Sequence, residues 1–371
     1  MSAVKLTLLH AGDILLDTPF VSSKAKESER RRSELKETFD RLLAQVKAHD
    51  AAVVLFTGNL FDNEYASTET FSFLSARFAQ MPAVRFLIAA GPKDAAVRTG
   101  IYSVCRLPKN VTVFESGKTA MVSLSDDGEF TFGGWSHDSA NAAFRPLQKL
   151  DSPLPFDVLG GYAGMDGEGV CITEEEIASS GAKYIGLSGK PFDGFHKASE
   201  TVYAYSGFLE STSYGDVGFG GANLVRFYED GTLEAERLSL GVLRYAREVI
   251  DVSDMKTTAE AEEAISALIS ERGYGEETAL RVVFEGHSTP DFLPPLYNHV
   301  PLFGLAELCT VDRSLPDKNE RDYAKDLSVR GELVRAMKPS AETNDPKSKE
   351  IAARALRITF SALDNDGSSR L

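Results

Sequence analysis

The chain is poor in cysteine, and its three cysteines are far apart. Cys105, Cys171 and Cys309 are odd in number and lie in apolar or strand-like segments, so they suggest neither a disulfide framework nor a zinc site. No apolar run approaches the ~18 residues of a membrane span. The N-terminal residues lead directly into a strand pattern without the apolar core of a signal peptide. We therefore expect reduced thiols and a cytoplasmic protein that does not bind membranes.

Positive charge is scarce relative to negative charge. Of 371 residues, 40 are Lys or Arg and 55 are Asp or Glu, which gives a formal net charge of −15. A broad nucleic-acid surface requires clustered Lys and Arg, so the net charge does not support DNA binding. A local basic groove that binds DNA is an alternative that the net charge does not exclude. The length, with 43% hydrophobic and 26% charged residues, suits a globular protein of two domains.

Apolar periodicity predicts alternating strands and helices in the first part of the chain. Residues 4–9, 52–56 and 84–90 have strand patterns, and residues 27–48 carry apolar side chains at helical spacing between the first two. From about residue 111 the pattern changes to short strands separated by turns, which indicates a second sheet.

The character of the sequence changes again after about residue 240, where it predicts a strand near 244–252, a helix that opens with a capping box at Thr257 and Glu260 and ends near Gly273, and a strand at 279–285. We predict an α/β fold with two domains: a two-sheet sandwich with outer helices over residues 1–240, and a smaller α+β accessory domain with a polar tail over residues 241–371. Open α/β sheets bind ligands at the carboxyl ends of their strands, so the loops after the first strands are the candidate ligand site.

Three polar loops follow the first three strands, with the sequences HAGDILLD at 10–17, GNLFD at 58–62 and GPKD at 91–94. An Asp at position 59 would be a natural bridging ligand for two hard cations. Asn59 offers only a neutral carbonyl oxygen. The second loop therefore has the form of a metal-binding strand end in which one carboxylate has been neutralised.

The order and flanks of these loops resemble the calcineurin-like metallophosphoesterases, and specifically the SbcD or YhaO type of DNA repair exonuclease. The resemblance covers nearly the whole chain and includes FDVLGGY at 156–162, YIGLSGKP at 184–191 and the segment 205–219. It implies a metallophosphoesterase sandwich with a capping-type accessory domain. It also implies a homodimer and an SMC-like ATPase as partner.

In that family, the motifs hold two divalent metals through Asp, Asn and His side chains. Asp13 matches the first Asp, Asn59 stands at the bridging Asp, and Lys93 replaces the His that acts on the scissile phosphate. The other ligand positions are occupied by Leu15, Pro92, Tyr162, Gly189 and Pro191. We therefore predict no catalytic residues and no bound metal, with Asp13 and Asn59 as vestigial ligands.

These substitutions predict a catalytically degenerate homologue without a cofactor, acting as a non-hydrolytic, DNA-repair-type binding or complex subunit. The alternative is an active phosphoesterase or DNA exonuclease with Mn or Mg at an altered or single-metal site. A third possibility is that Lys93 and Lys190 bind phosphate by charge in place of the metals. A rebuilt zinc site is also open, formed from His10, Asp13, His137 and His196.

Overall fold

The structure is a computed structural model of the chain. It describes residues 2–19, 25–97, 100–123, 130–139, 142–148, 156–165, 167, 169–288, 292, 294–316, 327, 329–341 and 345–365. The chain forms two compact units, Met1–Leu243 and Arg244–Leu371. The sequence places its boundary at 240/241, and the assignment of the two parts as a metallophosphoesterase-like domain and a capping-type domain stays a prediction.

The first unit contains a mixed sheet in the order β12-β11-β1-β2-β3-β4. Its strands are β1 (Val4–Ala11), β2 (Val53–Phe56), β3 (Arg85–Ile88), β4 (Val111–Val113), β11 (Gly218–Tyr228) and β12 (Leu233–Asp251), of which β12 continues into the second unit. Strands β1 to β4 run parallel to one another, and β11 is antiparallel to β1. The carboxyl ends of β1, β2 and β3 therefore lie at one edge of the sheet.

A second mixed sheet of six strands has the order β5-β6-β7-β8-β10-β9. Its strands are β5 (Ala120–Ser123), β6 (Thr131–Trp135), β7 (Val158–Tyr162), β8 (Tyr184–Ser188), β9 (His196–Ala198) and β10 (Thr201–Tyr205). Strands β6, β7, β8 and β10 are parallel neighbours, whereas β5 and β9 pair antiparallel at the two edges.

The two sheets pack face to face through a shared apolar core. Leu8 and Leu55 of the first sheet are fully buried in the same cluster as Phe132, Val158 and Tyr184 of the second. Because parallel strands that are covered on both faces need apolar residues throughout, β2 and β8 consist entirely of buried residues. The predicted fold class is confirmed: the protein has an α/β fold with two mixed sheets.

Helices cover the outer faces of the two sheets. They are α1 (Ala25–Ala48), α2 (Thr68–Ala79), α3 (Ile101–Val104) and α4 (Glu174–Ser179). Helix α1 buries Leu35, Phe39, Leu42 and Val46, whose i, i+4, i+7 and i+11 spacing places them on one face. A capping box between Thr173 and Glu176 starts α4 at the residue after Thr173.

The second unit is a smaller α+β arrangement. Its further elements are α5 (Thr258–Arg272), β13 (Thr278–Glu285), β14 (His287–Ser288), β15 (Glu307–Asp312), β16 (Leu315–Pro316), α6 (Val329–Ala341) and α7 (Pro346–Asn365). Strand β13 pairs in parallel with residues 244–251 of β12 and with β15. The sequence predicts a polar tail over residues 364–371; residues 364 and 365 belong to α7, and residues 366–371 lie outside the described residues. Within the described ranges, no helix is both long enough and apolar enough to cross a membrane.

Candidate binding cleft

A cavity of about 540 Å³ in the first unit lies at the carboxyl ends of strands from both sheets. Residues after β1, β2, β3, β6, β8 and β10 border it, together with the last residue of β7. The cavity is lined by Asp13, Leu15, Asn59, Asp62, Asn63, Glu64, Pro92, Lys93, Ala95, Val97, Ser139, Tyr162, Gly189 and Phe208. The position is the one expected for a ligand site in a parallel sheet. We call it the cleft.

The loops after β1 and β2 have an unusual backbone. Asp13, Leu15, Asp17 and Asn59 have φ angles of 46°, 56°, 64° and 54°, in the left-handed region that non-glycine residues seldom adopt. The two loops are tied by backbone hydrogen bonds, from the Asp13 N–H to the Gly58 carbonyl at 2.9 Å and from the Leu15 N–H to the Asn59 carbonyl at 2.8 Å. Strained backbone of this kind concentrates at ligand-binding sites.

Asp13 and Asn59 form a closed pair on the cleft floor. The Asn59 Nδ2 amide donates to Asp13 Oδ1 at 2.7 Å, and the Gly189 N–H donates to Asp13 Oδ2 at 3.0 Å. Asn59 Oδ1 accepts from the Lys93 N–H at 2.9 Å. Each carboxylate oxygen of Asp13 and both ends of the Asn59 amide therefore already have a partner from the protein.

Burial makes the Asp13 carboxylate costly to ionise. Its pKa rises from 3.8 to about 6, because desolvation outweighs the hydrogen bonds from Asn59 and Gly189, and the Asp94 and Asp216 carboxylates raise it further. The floor of the cleft therefore carries a buried carboxyl that is held by neutral donors.

Asp94 holds two of the loops together beneath the cleft. Its Oδ1 accepts from the Asn59 N–H at 2.9 Å and the Gly91 N–H at 2.6 Å, while its Oδ2 accepts from the Leu60 N–H at 2.9 Å and the Tyr102 hydroxyl at 2.6 Å. Since all four bonds are made to a fully buried carboxyl, Asp94 fixes the conformation of both loops.

Tyr162 fills the space between the loops after β2 and β8. A Cβ atom on Gly58 would lie 2.9 Å from its ring, and one on Gly189 would also lie 2.9 Å from it. Its carbonyl accepts from Trp135 Nε1 at 3.1 Å. The pKa of Tyr162 rises to about 12, because burial and the Asp13 carboxylate disfavour the phenolate. An aromatic ring thus stands where the resemblance places a histidine ligand.

The two lysines of the predicted phosphate site lie in different places. Lys93 lines the cleft, and its Nζ is 3.3 Å from Oδ2 of the buried Asp62. Lys190 Nζ lies over the ring of Tyr205, at 5.5 Å from the ring centroid. Neither Lys190 nor Pro191 is among the residues that line the cleft. The structure therefore does not bring the two lysines together there.

The histidines of the hypothetical zinc site are also dispersed. His10 is fully buried between the sheets, His137 packs its ring edge-on against Tyr162, and His196 pairs with Asp193 on the loop before β9. Among the described residues, no group of three or more His, Cys, Asp or Glu side chains could hold a metal ion.

The donor set of the cleft does not fit a pair of divalent cations. Leu15 and Gly189 have no side-chain donor atom, and the Lys93 ammonium adds positive charge near the floor. Asp13 is the one carboxylate retained from the family ligand positions, and both of its oxygens accept hydrogen bonds within the protein. Two hard cations would need several more carboxylate and imidazole ligands to offset four positive charges.

Some residues that shape the cleft were not singled out from the sequence. Phe208 lines it, Tyr102 bonds to Asp94, and the hydroxyls of Thr57 and Ser188 lie beneath its loops. The signals were weak: Thr57 and Ser188 are single polar residues at the ends of apolar strand runs, each followed by a glycine.

No family model matches the sequence, and no curated protein matches it. Among solved structures, TT1561 of Thermus thermophilus aligns with a TM-score of 0.39 and 12% identity, over 63% of this chain and 99% of its own. A dimetal phosphatase from Danio rerio aligns with a TM-score of 0.39 and 10% identity, over 64% and 100%.

Vacuolar protein sorting 29 from Cryptosporidium parvum aligns with a TM-score of 0.31 and 15% identity, over 64% of this chain and 98% of its own. The chain thus has a distant structural similarity to metallophosphoesterase and Vps29-type proteins. These low scores and identities transfer neither a family nor a function to it.

Proposed function

We propose that this protein is a catalytically degenerate metallophosphoesterase-like protein of the SbcD or YhaO type, which acts by binding. The observation that carries the proposal is the Asp13–Asn59 pair. Where a two-metal enzyme needs free carboxylate oxygens, the Asn59 amide and the Gly189 N–H occupy both oxygens of Asp13. An amide hydrogen atom stands against the carboxylate in place of a cation.

The chemistry of hydrolysis supports the same proposal. Metal-dependent phosphoesterases use the metal to lower the pKa of bound water and to polarise the phosphate. Of the described residues that line the cleft, none is a histidine, and the one lysine is paired with Asp62. The hydrogen bonds of Asp13 and Asn59 instead hold the loops of the cleft in place.

The partners of this subunit are proposed from the sequence resemblance. We propose an SMC-like ATPase and a second copy of the chain as binding partners, with DNA held by the assembled complex and not by this chain alone. The net charge of −15 supports that division, since an isolated acidic chain repels the phosphate backbone. Co-purification of this chain with a co-expressed SMC-like ATPase would test the partner, and its failure would contradict the proposal.

Metal content and turnover together test whether the protein lacks metal-dependent hydrolytic activity. The protein, purified without chelator, is dialysed against Mn²⁺ or Mg²⁺, its metal content is measured by mass spectrometry, and hydrolysis of a phosphodiester and of DNA ends is assayed. We expect less than one equivalent of metal and no turnover above the level of the Asp13→Ala variant.

The active-enzyme alternative makes the opposite prediction. Metal-dependent turnover that is abolished in Asp13→Ala, but kept in a variant of an exposed carboxylate such as Asp254→Ala, would overturn the proposal and favour an altered or single-metal site. Asp254 lies in the second unit and is exposed, so it controls for a general effect of removing one negative charge.

A further inference from the structure

A chain of buried polar side chains runs between the two sheets, below the cleft. The Tyr184 hydroxyl contacts His10 Nδ1 at 2.9 Å, and His10 Nε2 contacts Thr57 Oγ1 at 2.9 Å. Thr57 Oγ1 lies 2.6 Å from Ser188 Oγ, which lies 2.7 Å from Ser206 Oγ. All five residues are buried. We call this set the interior polar chain.

The members from the first sheet come just before the residues of the cleft floor. His10 is three positions before Asp13, and Thr57 is two positions before Asn59. Each therefore comes two or three positions before a loop residue with left-handed backbone. A hydrogen bond between His10 and Thr57 joins the ends of β1 and β2 at the point where their loops begin.

The members from the second sheet are placed in the same way. Ser188 is directly followed by Gly189, whose N–H donates to Asp13, and Ser206 comes two positions before Phe208, which lines the cleft. Four loops of the cleft thus begin next to one continuous set of hydrogen bonds. This set spans both sheets.

Gly12 shows how closely the cleft rests on these hydroxyls. A Cβ atom at this position would lie 1.8 Å from Ser188 Oγ, 2.8 Å from Ser206 Oγ and 2.9 Å from Thr57 Oγ1. Only glycine can approach three hydroxyl oxygens so closely. The backbone turn that carries Asp13 therefore lies directly on the hydroxyls of Thr57, Ser188 and Ser206.

We propose that Thr57, Ser188 and Ser206 are positioning residues of the cleft. Their hydroxyls hold the backbone at Gly12 in the position that lets the Asp13 carboxylate accept hydrogen bonds from both the Asn59 amide and the Gly189 N–H. The inference deepens the proposed function, because it names the groups that keep the binding cleft formed without a metal. Its test uses the free protein and needs no ligand.

Thr57→Val is the sharpest variant, because valine keeps the shape of threonine and removes its hydroxyl from the middle of the set. Hydrogen exchange is followed by mass spectrometry in peptides that contain Asn59 and Gly189. We expect their exchange to become roughly tenfold faster or more, because the buried contacts of the Thr57 hydroxyl with His10 and Ser188 are both lost. Exchange in the central strand β11 should change only with global stability. Thr57→Ser, which restores a hydroxyl, should return the exchange towards that of the unmodified protein.

Thr201→Val is the matched control. Thr201 is also buried and its hydroxyl donates to the Ala182 carbonyl at 2.6 Å, outside the interior polar chain. It should lower global stability without a selective effect at Gly189. If Thr57→Val does not fold, Ser188→Ala replaces it in the same measurement.

The proposal is overturned if the Asn59 and Gly189 peptides exchange no faster in Thr57→Val than global stability requires, or if Thr201→Val accelerates them equally. It is also overturned if Thr57→Ser fails to restore protection. Detection of metal-dependent turnover would instead remove the proposed function and leave this result unchanged, so the two failures are distinguishable.

Discussion

The floor of the cleft and the interior polar chain beneath it differ in how they accommodate a buried titratable group. On the floor, Asp13 is ionisable, faces a cavity and has neutral donors on both oxygens. In the interior, His10 is sealed between the sheets with Tyr184 and Thr57 on its two ring nitrogens. Burial disfavours the charged form in both, so it raises the pKa of the acid and lowers that of the base.

The two regions differ in whether the buried group reaches a cavity. Every member of the interior polar chain is buried, and each one hydrogen-bonds to the next within the protein. The floor is equally well bonded, yet its Asp13 carboxyl lies at the edge of a cavity. The pKa shifts of His10 and Asp13 make the unfolding free energy depend on pH with opposite signs. Substituting one residue at a time measures each contribution.

His10 gives the largest expected effect. Its pKa falls from 6.5 to about 3 through burial and the nearby Arg237. Because the folded-state pKa is depressed, the stability from neutral His10 is present above about pH 6.5 and is lost as the pH falls towards 3. Between pH 7 and pH 4 the unfolding free energy should fall by about 3 kcal/mol from this group alone.

Urea unfolding at several pH values would measure the His10 effect. His10→Gln removes the titrating group while keeping polar atoms, so the difference between it and the unmodified protein should shrink as the pH falls. The same substitution at the exposed His287 is the matched control for replacing a histidine. A parallel profile for His10→Gln and the unmodified protein would contradict the prediction.

Asp13 should show the opposite slope. Its folded-state pKa of about 6 lies above the ordinary value of 3.8, so the stability from the protonated carboxyl is present below about pH 4 and is lost as the pH rises through 6. The unfolding free energy that Asp13 loses over this pH range is roughly 2–3 kcal/mol. Comparing Asp13→Ala with the unmodified protein by urea unfolding from pH 4 to pH 7 checks it, with Asp254→Ala as the exposed control. A difference that does not vary with pH would refute the shift.

Asn59→Asp tests whether the floor is built around an amide. The new carboxylate would place an acceptor against Asp13 Oδ1, where the amide now donates at 2.7 Å. Like charges and a lost hydrogen bond should lower the metal-free unfolding free energy at pH 7 by about 2 kcal/mol. Mn²⁺ should raise the melting temperature of this variant and leave the unmodified protein unchanged.

Asn63→Asp is the matched control for that variant. It adds the same charge to the lining of the cleft at another asparagine. If Mn²⁺ stabilises Asn63→Asp as much as Asn59→Asp, the effect is a general response to charge. If Mn²⁺ stabilises the unmodified protein, the cleft holds a metal without any substitution.

The sequence contained enough information for the fold and only part of the cleft. Apolar periodicity predicted a helix over 27–48, and α1 covers Ala25–Ala48, because burial of one face leaves a repeating signal. The contact between Asp13 and Asn59 joins residues 46 positions apart and depends on left-handed backbone, which has no periodic signal in non-glycine residues. The interior polar chain was missed for a related reason: isolated Ser and Thr at strand ends look alike whether or not their hydroxyls meet.

Lys93→Ala should have the smallest effect on stability, and it tests what the Lys93 ammonium does at the edge of the cleft. The Lys93 side chain is 53% exposed and its Nζ lies 3.3 Å from the buried Asp62, so its loss should cost below about 1 kcal/mol of stability and less at high salt. If Lys93 instead holds phosphate, the variant should lose salt-sensitive binding to DNA while Lys197→Ala, an exposed control, keeps it. Equal affinity in all three proteins would assign Lys93 to pairing with Asp62 alone, because a rim cation that binds phosphate must contribute to the salt dependence.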